Sequence, residues 1–340
     1  MNASAIIQRT LFRGASTLLV GAAAVTLPLI PSALAQQKTI KVDGSSTVYP
    51  IAEVAASGFQ KANSSIKVTV GISGTGGGFK KFCAGELDIS NASRPILKKE
   101  MDACKNKGIK YIELPIAFDG IAVVVHPQNN WAKDLTVAEL KKIWEPGSKV
   151  KNWSQVRKGF PNVPIKLFGP GPDSGTFDYF TEAVNGKAKA SRTDYTPSED
   201  DNVLVQGVAG DRGSLGYFGK SYLEANKSRI KPVAIVSPSG SAVLPSDQTV
   251  QNGTYQPLSR PLFIYIRVDA AKRPEVKQFV SYFINNGAAI TKKAKYTALP
   301  GASYPKILAN FNKGKAGTVF NGQNDIGATI AEVLDREGVD

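Results

Sequence analysis

The sequence predicts an α/β fold with a largely parallel sheet, and three observations carry that reading. Strand-like and helix-like segments alternate through residues 39–92. Residues 121–125, Ile-Ala-Val-Val-Val, form a continuous apolar run of strand length, the pattern of a strand buried on both faces. Three segments rich in glycine, serine and threonine, at residues 43–50, 74–79 and 173–177, each stand directly before a helix-like run. Such alternation favours parallel strands joined by helical crossovers.

Each element follows from its local pattern. Residues 39–42 alternate polar and apolar and predict a first strand. Ile51, Ala55 and Phe59 recur at helical spacing in a helix ending near Asn63. Residues 66–71 alternate again. The glycine turn after Ser73 leads into a helix through Phe79 and Phe82, and residues 87–92 predict a third strand. The apolar run at 121–125 follows Asp119-Gly120 and precedes Pro127. Thr136 suits a helix N-cap, Glu139 completes a capping box, and Leu140, Ile143 and Trp144 give that helix its apolar face. Residues 165–169 predict a strand running into the Asp173 turn. The helix from Ser174 presents Phe177, Phe180 and Val184 and stops near Gly186. Residues 187–201 are polar and read as a loop, 214–218 as a short strand, 257–261 as a loop and 262–266 as a late strand. Residues 274–284 predict an amphipathic helix. The tail after Lys313 is glycine-rich and then helical, with no function assigned to it.

Residues 1–35 read as a secretory signal peptide. Arg9 and Arg13 make a positive start, residues 18–30 a short apolar stretch, and Ala33-Leu34-Ala35 a cleavage site. The expected mature chain begins at Gln36, soluble and periplasmic. No cysteine follows the cleavage site, so no lipid anchor is expected. With 42% hydrophobic and 21% charged residues, the chain is of ordinary globular composition. Its formal charge is +14. No nucleic-acid motif or dense basic block accompanies that charge, which reads as a solvated basic surface or as a field steering anions inward. Cys83 and Cys104 are the two cysteines, expected to form one disulfide in an exported chain. His126 is the sole histidine, so neither a metal site nor a cofactor is expected.

The hydroxyl-rich helix starts suggest a small oxyanion held between helix ends, because unpaired N–H groups and partial positive charge gather there. A capped helix is the simpler reading of any one of them. Taken in order, Asp-Gly-Ser-Ser-Thr-Val-Tyr-Pro at 43–50, Gly-Thr-Gly-Gly-Gly-Phe at 74–79, Ser-Arg-Pro at 93–95 and Asp-Ser-Gly-Thr at 173–176 resemble phosphate-binding proteins of the phosphate ABC importer, above all their cyanobacterial branch. The resemblance spans nearly the whole mature chain. It implies a type II periplasmic-binding-protein fold, with two α/β lobes, a hinge and an interlobe ligand cleft. One lobe would hold residues 36–125 and 255–340, the other residues 126–254.

The resemblance further implies a monomer that captures inorganic phosphate and delivers it to membrane permease and ATPase subunits. It places the ligand against Ser46, Thr47 and Val48, against Thr75 and Gly76, and against Asp173, Ser174, Gly175 and Thr176. Ser93 stands where the best-known family pattern has an aspartate, and Pro170 where it has an arginine. Other branches carry Ser-Arg at 93–94, so Arg94 is expected to supply the cationic charge, with a surface salt bridge as the plainer reading. The acceptor for the ligand's proton is expected at Asp173, ahead of Asp119 and Asp201. Other oxyanions (sulfate, arsenate, a phosphonate) or a phosphate-sensing role keep the same fold. A serine hydrolase or phosphatase would need a base and an orienting partner for Ser174, and His126, at a strand end before Pro127, suggests none.

Overall fold

The computed structural model describes residues 38–339, apart from 238 and 239; the targeting segment read at 1–35 lies outside the described residues. The first third of the described chain runs β1 (Lys38–Gly44), α1 (Tyr49–Ala62), β2 (Ile66–Val70), α2 (Gly74–Cys83), β3 (Ile89–Ala92), α3 (Lys98–Asn106) and β4 (Tyr111–Val125). The middle runs β5 (Asp134–Thr136), α4 (Val137–Trp144), β6 (Lys166–Pro170), α5 (Gly175–Asn185), β7 (Thr196–Ser198), α6 (Asp201–Ala209), β8 (Ser214–Gly219), α7 (Lys220–Ala225), β9 (Lys231–Pro232), β10 (Ala234–Val236), β11 (Ala242–Val243) and α8 (Asp247–Gln251). The chain then returns through β12 (Ser259–Arg267), α9 (Pro274–Asn285), α10 (Gly287–Lys293), α11 (Ser303–Lys313) and α12 (Ile330–Glu337).

Among the described residues the main sheet runs β2-β1-β3-β12-β4-β8-β6-β7, with β9 paired to β4, and a smaller one runs β11-β10-β5. β1 is parallel to β2 and β3, and β6 is parallel to β7 and β8. β12 and β4 are antiparallel to each other and to their outer neighbours β3 and β8. The sheet is therefore mixed, where alternation alone predicted a largely parallel one. The difference comes from β4 and β12, which cross between the two parallel halves. β4 pairs with β12 from Tyr111 to Gly120 and with β8 from Ile121 onward. Asp119-Gly120, which precedes the apolar run in sequence, lies inside this fully buried strand.

Helix boundaries follow side-chain chemistry. Thr136 Oγ1 accepts from the Glu139 N–H at 3.1 Å and the Glu139 carboxylate reaches back to the Thr136 N–H at 2.9 Å, closing the capping box of α4. Ser174 caps α5 by accepting from the N–H groups of Thr176 and Phe177. Gly186 ends α5 in the left-handed conformation. The fold then brings helix starts together. In each parallel half the crossover helices begin beyond the carboxyl ends of the strands, so α1, α2 and α5 all open toward one region, the usual ligand crevice of an open α/β sheet.

Packing fixes that arrangement. Phe59 meets Phe279 and Phe79 meets Tyr265 edge to face in the first half, while Trp144, Phe180 and Tyr217 cluster in the second. Each such ring contributes on the order of 1.5–3 kcal/mol by burial. Cys83 and Cys104 form a disulfide joining the end of α2 to α3. The segment after α11 packs along the first half and also reaches the second. The Lys98 N–H donates to the Gly322 carbonyl, Asn324 donates to Glu182 of α5, and the Gly327 N–H donates to the Tyr179 hydroxyl.

Candidate oxyanion-binding site

Four segments meet where the two halves of the sheet face each other. The β1–α1 turn supplies Ser46, Thr47 and Val48, all buried. The α2 start supplies Thr75 and Gly76, the residue after β3 is Ser93, and the α5 start supplies Ser174, Gly175 and Thr176. The Thr47 and Thr176 hydroxyls lie 3.1 Å apart although 129 residues separate them. The Thr75 and Ser93 hydroxyls lie 3.2 Å apart, and the Ser93 N–H donates to Thr75 Oγ1. Four of the sequence-predicted hydroxyls, those of Thr47, Thr75, Ser93 and Thr176, thus meet as two buried pairs.

Two glycines permit the approach. Gly74 has φ +72°, and a Cβ there would stand 2.4 Å from the Asp173 carbonyl oxygen. A Cβ on Gly175 would stand 2.4 Å from Thr75 Oγ1 and 2.7 Å from Ser93 Oγ. Backbone from one half can press on hydroxyls of the other only where side chains are missing. The contact is sealed by a bond from the Gly76 N–H to the Asp173 carbonyl, 2.8 Å.

The cation at the centre is Arg260, at the start of β12. It is fully buried. Its Nη2 donates to Thr176 Oγ1 at 2.8 Å, to Thr47 Oγ1 at 3.1 Å and to Asp119 Oδ2 at 3.2 Å, and its Nη1 donates to the Ser93 carbonyl at 3.2 Å. Its Nε has no protein partner. Sequence reading passed over Arg260 because it lies between Pro257 and Pro261 in an apparent loop. The available signal was an arginine directly preceding a long apolar strand.

Arg94 stands elsewhere in the network. Its Nε donates to Asp178 at 2.7 Å, and its two terminal nitrogens grip the Glu100 carboxylate at 2.7 and 2.8 Å. Nη1 also reaches the Pro95 carbonyl. Burial opposes the charge, but Glu100 and Asp178 outweigh it and raise the guanidinium above its ordinary pKa. Its ion pairs are buried, unlike the surface salt bridge that is the plainer reading of the sequence.

The three candidate acceptors differ sharply. The Asp173 carboxylate is partly exposed and paired with Lys80 at 3.0 Å. Asp119 is buried and already accepts from Arg260 and from the Lys220 N–H. Asp201, at the first turn of α6, is fully buried with neither carboxylate oxygen hydrogen-bonded. Burial pushes its pKa up to about 8; Arg260 opposes that shift, and Asp119 adds to it. The segment before it, read as loop, contains β7 and ends at α6. Among the described residues no group of three or more metal-ligating side chains comes together, and no helix is long and apolar enough to cross a membrane.

This two-halved α/β frame with a polar cleft has relatives. The family profile described as the PBP superfamily domain matches residues 31–286. The chain belongs to the PBP superfamily. Its architecture is the superfamily's two-lobe periplasmic-binding-protein fold. Protein SphX of Synechococcus elongatus is 49% identical over 335 residues, covering 98% of this chain and 99% of its own length. The phosphate-binding protein PstS of Staphylococcus saprophyticus is 39% identical over 268 residues, covering 78% of this chain and 82% of its own. Among solved structures, a possible phosphate binding protein from Planctomyces limnophilus superposes with TM-score 0.61 at 48% identity, covering 82% of this chain and 99% of that one. An ABC-type phosphate transport receptor from Vibrio cholerae, at 22% identity and TM-score 0.59, covers 77% of this chain and all of its own, and shares the PBP fold.

Proposed function

We propose that this chain is an extracytoplasmic receptor that captures inorganic phosphate between its lobes and delivers it to the permease and ATPase subunits of an ABC importer. One observation carries the reading: a buried arginine, Arg260, bonded to hydroxyls from both halves of the fold, within electrostatic reach of a buried carboxylate, Asp201, that has no hydrogen-bond donor. Donors alone would suit any oxyanion. An added acceptor suits an anion that still carries a proton near neutral pH, which phosphate does and sulfate does not.

In this reading one lobe comprises residues 36–125 and 255–340 and the other residues 126–254. Hydroxyls of Ser46, Thr47, Thr75, Ser93, Ser174 and Thr176 and the N–H groups at the starts of α1 and α5 surround the ligand. Arg260 takes the cationic role expected of Arg94, Asp119 orients Arg260, and Asp201 accepts the ligand's proton in place of Asp173. The protein works as a periplasmic monomer without cofactor or chemical step. Capture occurs in an open cleft, and closure follows because the closed form holds the anion more tightly. PBP relatives named as binding proteins support this over a hydrolase.

Calorimetric titration of the ligand-stripped chain with phosphate at pH 9, with sulfate as control, tests the proposal. One-to-one phosphate binding without a sulfate signal is the expected outcome. Sulfate binding of equal strength at pH 9, where Asp201 has lost its proton, would sink the acceptor assignment, and turnover of a phosphate ester would sink the receptor reading.

A further inference from the structure

Arg94 and Asp178 are both fully buried and come from opposite halves of the fold. Arg94 follows β3, which pairs with β1 and β12; Asp178 lies in α5, which follows β6. We propose that this ion pair is an interlobe latch: it stabilises the closed form without touching the ligand, and it is built to be split. The proposal takes its ligand from the phosphate-receptor reading above.

The design lies in the outer partners. A buried ion pair ordinarily resists separation because each ion would be left bare in a poorly solvating environment. Here each ion has a second partner on its own side. Glu100, only six residues from Arg94, holds its guanidinium in a two-pronged grip at 2.7 and 2.8 Å. Lys189, which follows α5, stands 3.5 Å from the other oxygen of Asp178. The order Glu100–Arg94–Asp178–Lys189 therefore divides at its middle into two neutral pairs, one for each lobe. Opening breaks the 2.7 Å Arg94–Asp178 bond and strands neither charge.

The latch also sets register. Asp178 is two residues beyond Thr176 on α5, and Arg94 adjoins Ser93. Closing the pair brings the α5 start onto the Thr75–Ser93 hydroxyls, the contact seen at Gly175. Arg94 and Asp178 are thus positioning residues, and Arg260 remains the ligand's cation.

The test uses two spin labels, at Ser57→Cys on α1 and Ser154→Cys in the middle segment, both exposed, with the native disulfide left intact. Interlobe distances are measured by electron spin resonance without ligand and with saturating phosphate, in wild type, Asp178→Asn and Asp178→Glu. Ligand-free Asp178→Asn is expected to shift toward longer distances, with Asp178→Glu between it and wild type. Stopped-flow phosphate release should accelerate by about tenfold in Asp178→Asn, an ordinary size for conformational coupling. The association rate and the phosphate-to-sulfate preference should stay unchanged. Identical ligand-free distances in wild type and Asp178→Asn would overturn the latch, as would a changed anion preference, which would put Arg94 on the ligand. If Asp178→Asn does not fold, the wild-type and Asp178→Glu distances decide. The ligand-free comparison stands by itself: a wild type that ignores phosphate would sink the phosphate reading and leave the latch to be judged on distances alone.

Discussion

Arg260 donates a 2.8 Å hydrogen bond to the Thr176 hydroxyl, tying the crossing strand β12 to the start of α5 at the centre of the cleft. The same nitrogen reaches Thr47 and Asp119, so one guanidinium orders three segments.

Arg260→Lys should therefore weaken phosphate binding by about 100-fold, the scale of losing hydrogen bonds to a buried charge. Lysine keeps the charge but lacks the planar fork. Calorimetry beside a thermal melt checks this; wild-type affinity in a folded variant would remove Arg260 from the site.

Thr176→Ala should cost about tenfold in affinity and little stability, because α5 is capped by Ser174 and not by Thr176. Ser174→Ala should lower both, with about 1 kcal/mol of stability lost through the missing cap. Parallel denaturation and binding curves separate the two effects.

Asp201→Asn exchanges an acceptor for a group that can donate. In the ligand-free protein Asp201 keeps its proton up to a pH of about 8. Below that pH it can donate to sulfate, and above it it can only accept. Preference for phosphate over sulfate should thus rise as pH passes through 8 in wild type and stay flat in Asp201→Asn. Sulfate competition at pH 6 and pH 9 reads this out, and parallel profiles for the two proteins would refute it.

Glu113 gives a separate pH effect on stability. Burial first, and then Glu337, push its pKa up to about 8 from an ordinary 4.5. Between those values the folded protein holds a proton that the unfolded chain has released. Stability should fall as pH rises from about 5 to 8, and Asp201 acts in the same direction. Glu337→Gln should flatten the slope while leaving anion preference intact. Urea unfolding at pH 5, 7 and 9 is the measurement.

Local signals in the sequence went far. The Thr136–Glu139 capping box, the helix start at Ser174, the Gly186 stop and the alternation of β1 and β2 all concern residues within a few positions of one another. Long-range features were hidden. Arg260 was obscured by Pro261, which reads as a strand breaker. β12 meets β3 only from Phe263 onward, so Pro261 sits where one strand edge needs no N–H donor. The depth of Asp201 was equally hidden, since burial depends on what packs over a polar stretch. Arg94 looked available because its partner Asp178 is 84 positions distant. The hydroxyl motifs were legible as a set, and the charges that organise them were not.

Thr47, Thr75, Ser93, Thr176, Asp201 and Arg260 are each at most 1% exposed. A cleft closed this tightly behaves as an airlock. An occupant leaves only when the walls part, so its escape has a clock of its own, indifferent to how much competing anion waits outside. In a chase experiment, raising unlabelled phosphate should prevent rebinding without hastening departure. Delivery would then depend on whatever opens the door rather than on the phosphate level beyond it.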